Sequence, residues 1–254
     1  MLLSFNFRSV TPLALAAFAA LTPVGTLSAD DHAHWSYEGH GGPTHWGELS
    51  HEFAACAKGA QQSPIDIKTA EPSSAHAPTV NWKPFAPGVV NNGHTIQANA
   101  AGDQTTTLGD ETFKLVQMHF HHDSEHTFDG HHTPLEAHFV NRSADGKLLV
   151  LGVMINEGAA NSEIEKVWQV MPKAEGEANA REAIDFARMI PAGGKFYRYA
   201  GSLTTPPCSE IVEWVVYADP IEASAEQIKA FAALYPHNNR PVQALGDRTV
   251  VLGR

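Results

Sequence analysis

The chain has 254 residues, is 43% hydrophobic and carries a formal net charge of −11. That charge argues against a nucleic-acid partner, because phosphate binding needs a basic stripe. The length admits one large or two small domains, and no Pro/Gly/Ser-rich linker, internal repeat or low-complexity block divides the sequence.

Residues 1–29 read as a secretory signal peptide. Arg8 is a lone positive charge, residues 11–24 are mostly apolar, and Leu27-Ser28-Ala29 offers a cleavage point. Pro12, Pro23 and the short apolar core weigh against an anchor helix. Residues 30–254 are then one exported domain, in periplasm or extracellular medium, with no membrane contact after cleavage. Disulfides persist in such compartments. Cys56 and Cys208 either form the one intramolecular pair available or remain two buried thiols.

Strand signals dominate the rest. Residues 115–121 alternate, with Val116, Met118 and Phe120 on a predicted core face and Gln117, His119 and His121 on the other. Residues 136–140 repeat the rhythm and place Glu136, His138 and Val140 together. Residues 148–154 are continuously apolar, as in a central strand buried on both faces. Ser162-x-x-Glu165 has the form of a helix capping box. Residues 211–217 are β-rich and set Val212, Trp214 and Val216 on one face. Ser224-x-x-Gln227 is a second capping-box pattern, leading into Ile228, Phe231 and Tyr235 at helical spacing. The pattern predicts a β-dominated α+β domain with few helices.

His119, His121 and His138 converge if their two strands pair antiparallel. Three protein ligands and an open position mark a catalytic zinc site, whereas structural sites use four ligands and usually cysteine. The chain has only two cysteines. A ligand histidine also needs an acceptor on its second ring nitrogen. Gln117 and Glu136 stand two residues from ligands, on the same faces. Among 15 histidines, with His122, His126, His131 and His132 crowding the segment, spacing alone would not suffice. The alternation and the two acceptors single out this set. An open zinc ion acidifies its water, which predicts a hydrolase or hydratase.

Several stretches resemble the α-class carbonic anhydrases. They are Trp35-Ser36-Tyr37-Glu38-Gly39, Gln62-Ser63-Pro64-Ile65-Asp66-Ile67, Asn91-Asn92-Gly93-His94 and the Gln117 to His121 run. They continue through Ser124-Glu125-His126-Thr127, Glu136-Ala137-His138, Gly201-Ser202-Leu203-Thr204-Thr205-Pro206-Pro207 and Asn239-Arg240-Pro241. Eight stretches in family order make the match specific.

The resemblance implies a large, twisted, mostly antiparallel sheet with short peripheral helices. It implies one Zn2+ on His119, His121 and His138, and reversible hydration of carbon dioxide to bicarbonate and a proton by attack of zinc-bound hydroxide. Thr204 would accept from that hydroxide and donate to Glu125. Val140, Val150, Leu203, Thr205, Val212 and Trp214 match the substrate pocket. His94 matches the proton shuttle, and Tyr37, Asn92 and Gln97 match holders of the connecting waters. Members often have Asn where Gln97 stands. His126 matches a buried structural histidine, while His131 and His132 read as a solvated turn. The resemblance also implies a Cys56–Cys208 disulfide and cis bonds at Ser63-Pro64 and Pro206-Pro207. Bacterial members are often dimers, which makes a homodimer one expectation. A binding module descended from such an enzyme would lack a zinc ligand. A histidine-rich zinc carrier would leave Glu125 and Thr204 without a role.

Overall fold

Strands outweigh helices in this computed structural model, which describes residues Ala33–Arg254. The expected signal peptide, residues 1–29, lies outside the described residues. The strands run β1 (Asp66–Ile67), β2 (Glu71–Pro72), β3 (Thr79–Asn81), β4 (Gly88–Asn91) and β5 (Ile96–Asn99). Next come β6 (Thr105–Leu108), β7 (Glu111–His121), β8 (Thr127–Phe128), β9 (Leu135–Ser143) and β10 (Leu148–Glu157). The last five are β11 (Gly176–Asn179), β12 (Phe196–Gly201), β13 (Val212–Tyr217), β14 (Ile221–Ala223) and β15 (Val251–Gly253).

Thirteen of these strands form one sheet, with β11-β4-β5-β7-β9-β10-β13-β12-β15-β2 as its main path. β1 and β8 make a separate parallel pair. Within the large sheet β10–β13, β10–β14 and β15–β2 are parallel and every other pairing is antiparallel. The sheet is thus mostly antiparallel, as expected, with parallel pairs at β10 and at the β15–β2 edge.

β10 separates two apolar layers. Leu149, Leu151, Val153 and Ile155 join Met118, Phe120, Ala137 and Phe139 in the larger core. Val150 and Met154 face the other way, into a cluster with Tyr199, Val212, Trp214 and Val216. A strand covered on both faces needs apolar residues at both parities, which explains the unbroken run. Each fully buried side chain of this size contributes on the order of 1.5–3 kcal/mol. Two helices close the larger core, α3 (Ser162–Trp168) and α4 (Ala225–Ala232), after the short α1 (Trp46–Leu49) and α2 (Ala55–Lys58). Phe120 meets Trp168 edge-on at 4.7 Å, and Trp168 stacks on Phe231 at 5.6 Å.

Ser224 caps α4 with both halves of a capping box. At α3 the cap is Asn161 rather than Ser162: its side chain accepts from the Glu163 and Ile164 amides. The cap sits one residue earlier than the sequence pattern indicated, because an asparagine there already satisfies the free helical N–H groups.

Cys56 and Cys208 are joined in a disulfide with Cα atoms 5.0 Å apart, and they pack with Trp46 and Phe53 in a third apolar cluster. The Ser63-Pro64, His122-Asp123 and Pro206-Pro207 bonds are cis. Among the described residues no helix is long and apolar enough to cross a membrane.

One strand position departs from its expected place. Val116 is 42% exposed, not core. The β7–β9 register skips it, because Leu115 faces Asn141 and Gln117 faces the next residue, Val140. Val116 is therefore the extra residue of a β-bulge. A bulge shifts the alternation by one. It lets Phe113 and Leu115 share the core with Met118 and Phe120, and so leaves Gln117, His119 and His121 to the opposite face.

Candidate metal centre

β7 and β9 pair so that His119 lies opposite His138 and His121 opposite Glu136. The His119, His121 and His138 rings sit 4.6–5.2 Å apart, centroid to centroid. One nitrogen of each ring is already occupied. His119 Nδ1 meets Gln117 Oε1 at 2.8 Å, His121 Nδ1 meets the Asn238 carbonyl at 2.7 Å, and His138 Nε2 meets Glu136 Oε1 at 2.8 Å. Acceptors at those atoms force the rings to donate there, which leaves His119 Nε2, His121 Nε2 and His138 Nδ1 as lone-pair donors. These three residues form a group that could hold a metal ion, with ligand atoms within 4.8 Å of one another. His121 Nε2 is buried with no hydrogen-bond partner. Such an orphan is costly unless something else satisfies it, and a cation would.

Glu136 holds the group from behind. Its Oε2 accepts from the Glu125 and His126 amides, and its Oε1 takes His126 Nδ1 and His138 Nε2, all at 2.8 Å. Burial by itself would raise this carboxyl, but the His126 and His138 rings hold it well below the usual range. Burial likewise pushes His119 and His121 down, toward the neutral form that a metal needs. On His138 burial pulls down, but the Glu136 charge wins and raises it. The carboxylate that favours a proton on this ring also favours a cation at its Nδ1. Gly152 lies opposite His138, and a Cβ there would come within 3.0 Å of Glu136 Oε1. His126, Glu136 and His138 also lie within metal-binding distance of each other. Their facing atoms are already hydrogen-bonded to one another, and His126 Nε2 meets the Tyr199 hydroxyl at 2.7 Å.

Glu125 is fully buried. Its Oε1 accepts the Arg240 amide at 2.8 Å. Its Oε2 has no hydrogen-bond partner and lies 3.6 Å from His121 Nε2 and 3.9 Å from His138 Nδ1. The expected bond from the buried Thr204 hydroxyl to Glu125 is not formed. The free carboxylate oxygen is turned toward the imidazole nitrogens instead. Arg240 is fully buried and donates to Gln62 Oε1 and the Ser63 and Cys56 carbonyls, with its guanidinium 5.6 Å from the Trp46 ring. It thereby ties Glu125 to the disulfide segment.

A cleft of about 110 Å³ beside His119 and His121 brings in Tyr37, Asn92, His94, Gln97 and Thr205. The His94 ring stacks on Trp35 at 3.7 Å, nearly parallel. Asn92 Oδ1 accepts the His94 and Thr95 amides, and Gln97 Nε2 donates to Asn99. Val150, Val212 and Trp214 form one apolar cluster, with Val140 and Leu203 packed against it. Trp214 meets His138 edge-on at 4.8 Å. His131 and His132 are exposed, as a solvated turn would be. His132 is nonetheless in contact with the Ser124 carbonyl at 2.6 Å. Larger surface grooves, of about 610 and 680 Å³, contain none of the three histidines.

Sequence reasoning overlooked Asn238. Its carbonyl is the acceptor for His121, and a backbone oxygen carries no sequence signal. The one available hint was its position beside Asn239-Arg240-Pro241.

Fold and site together define a mixed-sheet protein with a buried three-imidazole group beside a narrow cleft. The model of the eukaryotic-type carbonic anhydrases matches residues 41–253. The chain belongs to this family, the α class. It is 44% identical to a carbonic anhydrase of Pectobacterium carotovorum, over 89% of this chain and 93% of that one. It is 36% identical to alpha carbonic anhydrase 4 of Arabidopsis thaliana, over 87% and 86% of the two chains. The solved α-carbonic anhydrase of Thermovibrio ammonificans, in complex with the inhibitor sulfanilamide, superposes with a TM-score of 0.84. It is 45% identical, and the match covers 86% of this chain and 99% of that one.

Proposed function

We propose that the chain is an exported zinc enzyme that reversibly hydrates carbon dioxide, with His119, His121 and His138 as metal ligands. The observation that carries this reading is the unblocked nitrogen on each ring, with the other nitrogen engaged. A zinc ion there supplies Lewis acidity, which makes water a usable nucleophile near neutral pH.

The chain's own residues supply orientation and proton movement. Gln117, Glu136 and the Asn238 carbonyl fix the ring tautomers. Glu125 keeps one unpartnered carboxyl oxygen beside the His121 and His138 rings, and the buried Thr204 hydroxyl keeps lone pairs to orient the nucleophile. Val140, Val150, Leu203, Val212 and Trp214 offer an apolar molecule a surface that makes no hydrogen-bonding demand, and Thr205 borders it. His94 carries the product proton outward, a task suited to an imidazole. Tyr37, Asn92 and Gln97 border the route from His119 to His94 and hold its waters. Residues 30–254 are the mature domain, and the disulfide accords with an oxidising compartment.

Stopped-flow hydration of carbon dioxide, before and after zinc removal, tests the proposal. Zinc-dependent hydration blocked by sulfanilamide is the expected result. Tightly bound zinc without hydration would overturn it.

A further inference from the structure

Asn238 is 1% exposed, and each of its polar groups is engaged. Its amide N–H donates to the His122 carbonyl at 3.1 Å, and its carbonyl accepts from His121 Nδ1 at 2.7 Å. Its side-chain Oδ1 accepts the His122 amide at 2.8 Å. Its Nδ2 donates to the carbonyls of Phe120 and His94, both at 3.0 Å. A primary amide has two N–H donors, and here they connect the end of β7 to the loop that carries His94.

The geometry points to the Asn238 side chain as a positioning residue for proton transfer: it sets the His94 loop against the segment that carries His121. This rests on the proposal that His94 is the shuttle. The other fastenings of His94 itself are local or apolar. Asn92 Oδ1 closes the turn on itself, and Trp35 stacks on the His94 ring. Thr95 Oγ1 donates to the Phe120 carbonyl at 2.6 Å, so it holds the strand that leaves the loop, one residue past His94. Only Asn238 Nδ2 joins the His94 peptide itself to the ligand strand among the described bonds. Its geometry therefore bears on the distance across the cleft between His94 and the ligand histidines. A displacement near 1 Å is enough to slow a positioned transfer strongly.

The role separates from that of the Asn238 carbonyl, which any residue at this position retains. Asn238→Ala deletes the Nδ2 and Oδ1 bonds but keeps the acceptor for His121. Asn238→Asp keeps the size and the acceptor for the His122 amide but loses both donors, and it serves if the alanine variant folds poorly.

The test uses the zinc-loaded full protein, with His94→Ala alongside. In weak buffer kcat is expected to fall roughly three- to tenfold in Asn238→Ala. The kcat/KM value should stay within about twofold, since the ligand set is intact. Added imidazole should restore kcat. Independently of activity, the metal-free variant should lose the NMR cross-peaks between the His94 and Trp35 rings while retaining those of the larger core. Unchanged kcat and ring contacts in both Asn238 variants, with His94→Ala impaired, would overturn the inference and leave the shuttle standing. No effect of His94→Ala would instead overturn the shuttle. A loss of kcat/KM equal to that of kcat, without imidazole rescue, would also overturn the inference, by assigning Asn238 to the metal site alone.

Discussion

Along β7 the residues alternate between two regimes. Met118 and Phe120 point into the larger core, fully buried among apolar neighbours. Gln117, His119 and His121, each one residue away, point to the cleft and the metal group. β9 repeats the division, with Ala137 and Phe139 on one side and Glu136 and His138 on the other. Apolar contacts are non-directional, so the first face depends on volume and shape. The second face depends on individual atoms. One N–H of each ligand ring there has a specific acceptor, and substituting one atom unmakes a bond that no neighbour can replace. Stability and chemistry are thus drawn from opposite sides of the same strands.

The sharpest way to break this comparison is at a ligand. His119→Ala is expected to abolish zinc retention and hydration while far-UV circular dichroism stays unchanged. Full activity with zinc bound would end the assignment. On the core face, Phe120→Ala should destabilise the fold by about 3–5 kcal/mol. Below its unfolding transition it should still hold zinc, as read by denaturant titration and metal analysis. Glu136→Gln preserves shape but puts a donor against groups that donate. Zinc affinity should fall by about 10–100-fold, measured by competition with a chelator. Met118→Leu, which nearly conserves volume, should cost less than about 1.5 kcal/mol and leave zinc affinity unchanged. If Phe120→Ala weakened zinc as much as Glu136→Gln, the two faces would not be independent.

The smallest effect concerns pH, away from both faces. Burial would raise the Glu163 carboxyl, but the Asp185 amide and the Lys166 ammonium group at 2.9 Å hold it below its ordinary value. A depressed folded-state pKa contributes stability above the unfolded value near 4.5. That contribution is lost as pH falls through the lower folded value. Glu163→Gln should flatten the acid side of the melting-temperature profile below pH of about 4.5 and leave zinc retention unchanged. An identical acid slope in both proteins would remove Glu163 from the account.

Much of this was legible beforehand because a strand's period of two is a local property. The parity of residues 117–121 and 136–140 put His119, His121, Gln117, His138 and Glu136 on faces that can meet, and the antiparallel pairing of β7 with β9 brings them together. The unbroken apolar run of β10 likewise announced a strand covered on both sides. Where the reading failed, the cause was non-local. The Val116 bulge depends on β9 pairing, which the alternation of β7 alone cannot reveal. The cap of α3 fell one residue early because Asn161 supplies the acceptor. Glu125 took the Arg240 amide, from a segment more than a hundred residues away, and no bond from Thr204.

The amino-acid sequence by itself determined the family, the strand-rich fold class and the residue types of the site, because periodicity and motif order are written along one dimension. Only the tertiary structure decided which nitrogen of each histidine is free, that Cys56 and Cys208 join, and that Asn238 links the ligand strand to the His94 loop. Those outcomes depend on backbone carbonyls and amides brought together from distant segments. Such groups are the same at every position, so they acquire identity only from where the chain places them.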